Sequence, residues 1–257
     1  MATDRTAIRA VAHDGTDLHA VVAGTGSRWL LFGLGGGTAS IPASQDPWIE
    51  GLGRDYRMIF IDYPGEPKMY TLTPATVARD YLAIADAAGA QRFAYYGFSW
   101  GAVSGLQLAL RTDRLTAFAA GGFPMLRGPY KEMLQIVRLA EQGPITLYDN
   151  PPMHAPEHGR QFVTYYEGLR SFDDRAVQAR LQCPRLNFMG TADDVTLNGA
   201  LLTRLGQTVI DTRAELEGFG WEVQLLDGMT HVGPNGAARP DVVIPILREF
   251  LGRVVPG

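Results

Sequence analysis

The chain has 257 residues, 46% of them hydrophobic and 19% charged, and carries a net charge of -4. That length allows one large α/β domain or two small ones, and the composition is that of a globular protein with a sizeable core. The weakly acidic balance and the lack of any Lys/Arg run argue against nucleic acid or an anionic membrane surface as the partner, because both need clustered cations.

Residues 6–12 and 17–22 flank the turn His13-Asp14-Gly15-Thr16 and predict a hairpin. Arg28-Trp29-Leu30-Leu31-Phe32 is an apolar run stopped by glycines, and Arg57-Met58-Ile59-Phe60-Ile61 is another, stopped by Asp62-Tyr63-Pro64-Gly65. Apolar runs without alternation suit strands buried on both faces of a parallel sheet. From Pro74 to Ala88, Val77, Tyr81, Ile84 and Ala88 recur at spacings of three and four and predict a helix, with Pro74 at its start and Gly89 at its stop. Phe93-Ala94-Tyr95-Tyr96 reads as a strand that turns at Gly97 into a second helix carrying Val103, Leu106 and Leu110. Leu115 to Ala120 is a further buried strand.

This alternation predicts a mostly parallel sheet covered by helices, an α/β class. It breaks between Phe123 and Gln182, where helical segments follow one another without a strand. It resumes with a strand at 185–189, a helix over 198–217, a strand at 221–226 and a helix near 241–251. The expectation is a core domain made of residues 1–122 and 183–257, with 123–182 inserted as a helical cap.

The segment Gly97-Phe98-Ser99-Trp100-Gly101 matches G-x-S-x-G between a predicted strand and a predicted helix, the context that the motif needs. A strand that reverses so sharply forces its serine into a strained conformation, and the flanking glycines carry no Cβ to clash. The turn exposes the Ser99 hydroxyl and sets the backbone N–H of Trp100 at a helix N-terminus beside it.

On these residues the chain resembles the α/β-hydrolase fold superfamily, in its serine-nucleophile branch and over essentially its whole length. The resemblance implies the order nucleophile, acid, histidine. It makes Asp193, in Gly190-Thr191-Ala192-Asp193, the acid and His231, just after the last strand, the base. Asp194 could exchange roles with Asp193 if the turn shifts by one residue, and Asp227 is a further rival close to His231. The other histidines lie in the hairpin (His13 and His19, expected to be solvated) or in the insertion (His154 and His158). The oxyanion donors implied are the backbone N–H groups of Leu34 and Trp100. This chain departs from the family in having Phe32 where a histidine is common, and Asp62-Tyr63-Pro64-Gly65-Glu66-Pro67 where relatives often show D-x-x-G-x-G.

Two other motifs mislead. His154-Ala155-Pro156-Glu157-His158 spells the inverted zinc-protease pattern, but Pro156 starts a helix rather than sitting inside one, so the two histidines do not share a face. Gly33 to Gly37 lacks the last glycine of a dinucleotide fingerprint, where Thr38 stands. Cys183, the lone cysteine, allows no intramolecular disulfide. Phe162, Tyr165, Tyr166 and Phe172 suit helix packing, with some rings available to line a site.

The sequence therefore predicts a hydrolase that cleaves a small, largely apolar ester or related acyl bond without a cofactor or metal. Carbon–carbon or amide hydrolysis with the same residues stays open, as does a non-catalytic receptor for small ligands. Without a signal peptide or an apolar span, a soluble cytoplasmic protein is expected.

Overall fold

The computed structural model describes residues 5–33, 45–63, 72–148, 150 and 156–255. In chain order these form β1 (Arg5–Val11), β2 (Asp17–Ala23), β3 (Arg28–Gly33), α1 (Asp46–Leu52), β4 (Tyr56–Asp62), α2 (Pro74–Ala87), β5 (Phe93–Phe98), α3 (Trp100–Ala109) and β6 (Leu115–Gly121). There follow α4 (Tyr130–Gln142), α5 (Pro156–Glu167), a short 3-10 turn (Gln178–Arg180), β7 (Arg185–Gly190), β8 (Asp194–Leu197), β9 (Ala200–Arg204), α6 (Leu205–Gly218), β10 (Trp221–Leu226) and α7 (Pro240–Val254).

Eight strands form one sheet in the order β1-β2-β4-β3-β5-β6-β7-β10. The first two pairings are antiparallel and the remaining ones parallel. Along β3, Leu30 and Phe32 pack into one half of the core and Leu31 into the other, so successive side chains serve opposite faces. Helices α1 and α7 cover the first face, while α2, α3 and α6 cover the second. The expected α/β architecture is present. No helix among the described residues is long and apolar enough to cross a membrane.

Two expectations need correction, and one element was not anticipated. Residues 198–204 are not the start of a helix: β8 and β9 pair antiparallel with Leu197 opposite Ala200. The intervening Asn198 and Gly199 both have positive φ (51° and 78°), the pairing of a tight hairpin turn that Asn-Gly favours. The helix begins only at Leu205. A short helix, α1, was hidden because seven residues are too few for a periodic signal, although Trp48, Ile49 and Leu52 bury one face of it. His13 is not solvated: its backbone N–H donates to the buried Asp80 at 2.7 Å, and its ring lies 3.0 Å from the same carboxylate.

Within 123–182 the described residues form α4, α5 and the 3-10 turn, with Leu147 bridging Leu197 of β8, and the segment is pinned near both of its ends. The Asp174 carboxylate accepts the backbone N–H groups of Arg127 and Gly128 at 3.1 and 2.8 Å. Gln178 Nε2 donates to the Met125 carbonyl at 2.8 Å, and Trp221 Nε1 donates back to Gln178 Oε1 at 2.7 Å. Residues 125–128 and 174–178 are thus tied to each other and to β10.

Burial pushes the Asp174 carboxyl above the usual carboxylate range. A group raised in the folded state keeps its proton where the unfolded chain has lost it. Its contribution to stability therefore falls as pH rises from the ordinary aspartate value of about 3.9 through the folded value. Asp174→Asn cannot ionise, so it should lose less stability than wild type across that range. Urea melts of both proteins at stepped pH measure this; a difference between them that is constant with pH would contradict it.

Candidate active site

The chain crosses from β3 through α1 to β4 on one side of the sheet, and from β5 through α3 to β6 on the other. Strand order therefore switches between β3 and β5, and an open α/β sheet gathers ligands at the carboxyl edge of such a switch. Ser99 stands at that edge, between β5 and α3.

Its backbone is strained, at φ 56° and ψ -121°. For a residue with a Cβ this costs on the order of 1–3 kcal/mol. The surroundings hold it there. Ser99 donates its N–H to the Gly121 carbonyl on β6 at 2.8 Å. A Cβ on Gly97 would run into the Gly101 carbonyl, so the strand and the helix can only approach this closely because residue 97 is glycine. The same carbonyl accepts the Tyr95 hydroxyl at 2.7 Å and the Ser104 hydroxyl at 3.1 Å.

Asp193 follows β7 and His231 follows β10, so both also reach the carboxyl edge. The structure brings them to Ser99. Ser99 Oγ lies 3.0 Å from His231 Nε2, and His231 Nδ1 lies 2.8 Å from Asp193 Oδ2. Asp193 is fully buried and His231 only 5% exposed. The second carboxylate oxygen, Oδ1, is buried without a hydrogen-bond partner among the described residues. A carboxylate so placed directs its charge at the one hydrogen bond it makes, that to His231.

The rival acids lie elsewhere. Asp194 turns to Arg204 at 3.9 Å and is half-buried, while Asp227 stands 3.4 Å from the Thr191 hydroxyl. Trp100 opens α3, where the first N–H groups have no partner within the helix. Its indole is buried against the helical insertion, with Phe162 and Tyr165 edge-on at 5.2 and 5.3 Å and Tyr63 stacked at 6.2 Å. Leu34 lies outside the described residues, as does His154. Helix α5 does begin at Pro156.

Phe32 has a packing role. It is fully buried in an aromatic cluster, 4.6 Å from Phe60, 5.1 Å from Trp48 and 5.5 Å from Tyr96. The departure from the family pattern thus fills the core beneath α1.

One neighbour of the site was not visible in the sequence. Tyr148 stacks on the His231 imidazole with ring centroids 4.5 Å apart and planes 2° from parallel. Phe98 packs against the same imidazole at 5.0 Å.

No family model and no curated protein matches the sequence. Solved structures do match. A hydrolase from Pseudomonas aeruginosa is 19% identical, with a TM-score of 0.69, over 96% of this chain and 98% of its own. The enol-lactonase from Burkholderia xenovorans is 20% identical at a TM-score of 0.69, covering 95% and 99%. The esterase from Pyrococcus furiosus is 16% identical at 0.67, covering 99% and 92%. The chain has the α/β-hydrolase fold.

Because the Gly101 carbonyl fills the space beside Gly97, Gly97→Ala must part β5 from α3 at the turn. It should cost on the order of 1–3 kcal/mol of stability, measured by urea unfolding. A melt that matches wild type would show that the turn tolerates the methyl group.

Proposed function

We propose that this chain is a serine hydrolase that cleaves a small, largely apolar ester or related acyl bond through an acyl-enzyme. The observation that supports this most is the continuous chain from Ser99 Oγ through His231 to the buried Asp193 carboxylate. A serine hydroxyl becomes a useful nucleophile only when a base takes its proton. His231 Nε2 is within reach of that proton, and Asp193 fixes the tautomer that leaves Nε2 free to accept it.

In this reading Ser99 Oγ attacks the carbonyl carbon while its proton passes to His231. The imidazolium then protonates the leaving alcohol as the carbon–oxygen bond breaks. Water enters, gives a proton to His231 as its oxygen attacks the acyl carbon, and His231 returns that proton to Ser99 Oγ as the acyl bond breaks and the acid leaves. The Trp100 N–H, at the N-terminus of α3, serves as one donor to the developing oxyanion, and that of Leu34 as the other. Each such donor contributes roughly 10²–10³ in turnover. No cofactor or metal takes part, and the only partner required is the small-molecule substrate. The likeness to an enol-lactonase and an esterase agrees with ester chemistry.

Labelling with a fluorophosphonate tests the reading directly. An adduct on Ser99 that is abolished in Ser99→Ala supports it. A protein that binds small apolar ligands but never reacts would instead be a receptor. On nitrophenyl esters of graded chain length, Asp193→Asn should lower kcat by about 10³–10⁴, since the wrong tautomer then faces Ser99. Full activity in that variant would remove Asp193 from the mechanism. Labelling of Ser99 without turnover of any ester would shift the reading to amide or carbon–carbon substrates.

A further inference from the structure

The geometry points to Tyr148 as the positioning residue of His231, its ring locking the imidazole between Ser99 and Asp193 and keeping water from the His231–Asp193 hydrogen bond. This rests on the serine-hydrolase reading, because a positioned imidazole has a task only if it moves a proton.

The placement of Tyr148 is built, and its support is rooted in the acid itself. Thr146 to Tyr148 run beside β8, joined to it by an isolated bridge and backbone hydrogen bonds. Leu147 bridges Leu197, Tyr148 donates its N–H to the Thr196 carbonyl at 3.2 Å, and Asn198 donates its N–H to the Thr146 carbonyl at 2.9 Å. The Asn198 side chain adds a hydrogen bond through Oδ1, which accepts the Thr146 N–H at 2.9 Å. The β8–β9 hairpin starts one residue after Asp193, and past its end the Gly206 N–H returns to the Asp193 carbonyl at 3.0 Å. Acid and stacking ring are therefore carried by one hydrogen-bonded unit. Tyr148 itself is held at φ 53°, a left-handed conformation that a tyrosine adopts only when its neighbours impose it.

Stacking serves the proton transfer in two ways. A ring parallel to the imidazole prevents rotation out of the plane that joins Nε2 to Ser99 and Nδ1 to Asp193. It also presents the negative face of its π-system to the imidazolium when His231 takes the proton. Exclusion of water matters here because Asp193 Oδ1 is buried with no partner among the described residues. A solvent molecule admitted there would compete with His231 for the carboxylate. Burial, with the Asp193 charge nearby, holds the Tyr148 hydroxyl well above its ordinary value, so the ring stays neutral.

The test compares Tyr148→Ala with Tyr148→Phe, which keeps the ring. Two quantities are read: ester kinetics, and the downfield proton resonance of the His231–Asp193 hydrogen bond. In Tyr148→Ala kcat should fall about tenfold while KM changes less than about threefold, and the resonance should broaden through exchange with solvent. Tyr148→Phe should restore kcat to within about threefold of wild type and sharpen the resonance. Should Tyr148→Ala fail to fold, Asn198→Ala loosens the same support with the ring intact and should broaden the resonance in the same direction. The proposal is overturned if Tyr148→Ala matches wild type in both readouts, or if Tyr148→Phe is as impaired as Tyr148→Ala. A wild-type protein that neither labels nor turns over ester would defeat the hydrolase reading alone, since the resonance still reports whether the ring shields the pair.

Discussion

The strained backbone at Ser99 is the constraint around which the centre of the molecule is arranged. A strand that ends at Phe98 and a helix that begins at Trp100 leave one residue in which to reverse direction. The resulting cost, on the order of 1–3 kcal/mol, persists only because the surroundings over-determine it. Strands β3 and β6 fix β5 from both sides, the Gly121 carbonyl holds the Ser99 N–H, and Tyr95 and Ser104 hold the Gly101 carbonyl. Tyr81 extends that network, its hydroxyl 3.1 Å from that of Ser104. Polar side chains this deep are stable only with partners, and these find them in one another and in the turn.

Packing then carries this rigidity outward. Tyr63 stacks on the Trp100 indole and donates its hydroxyl to Asp80, which also receives the backbone N–H of His13. The N-terminal hairpin is thereby tied through one buried carboxylate to the residue beside Ser99. From the other side, Phe162 and Tyr165 of α5 press their ring edges on the same indole. Edge-on aromatic pairs contribute about 0.5–1.5 kcal/mol each beyond the area they bury. Trp100 is thus where the sheet, the hairpin and α5 meet.

How much of this was legible in the sequence depended on whether the signal was local. The apolar runs of β3, β4 and β5 and the glycines at 97 and 101 declare themselves, because burial on two faces and a sharp turn each demand particular residue types. The β8–β9 hairpin was equally declared by Asn198-Gly199, but an apolar spacing compatible with a helix concealed it. Asp193 and His231 needed the family resemblance: nothing local distinguishes Asp193 from Asp194, and only the fold shows Asp193 buried against His231 and Asp194 turned toward Arg204. Tyr148 had no signal at all. Its importance comes from a contact 83 residues along the chain, made possible by strand pairing that no short window of sequence contains.

Two unfavourable features coincide at the carboxyl edge of the sheet: a serine held at positive φ, and a buried carboxylate with one oxygen unpartnered among the described residues. Either alone would be disfavoured in a fold selected only for stability. A buried charge with a single partner is weak evidence of stabilisation, since a well-packed apolar pair of similar volume is often as stable or more so. Their convergence on one imidazole, itself enclosed by Tyr148 and Phe98, is hard to account for by packing. Strain and incomplete satisfaction are expected where a structure does chemistry, because a group already relaxed by its surroundings has little to gain in a transition state. A pocket that merely bound an apolar ligand would need the aromatic walls but neither the strained serine nor the buried acid. The physical cost of the site is therefore what the proposed catalytic reading accounts for and a binding pocket would not.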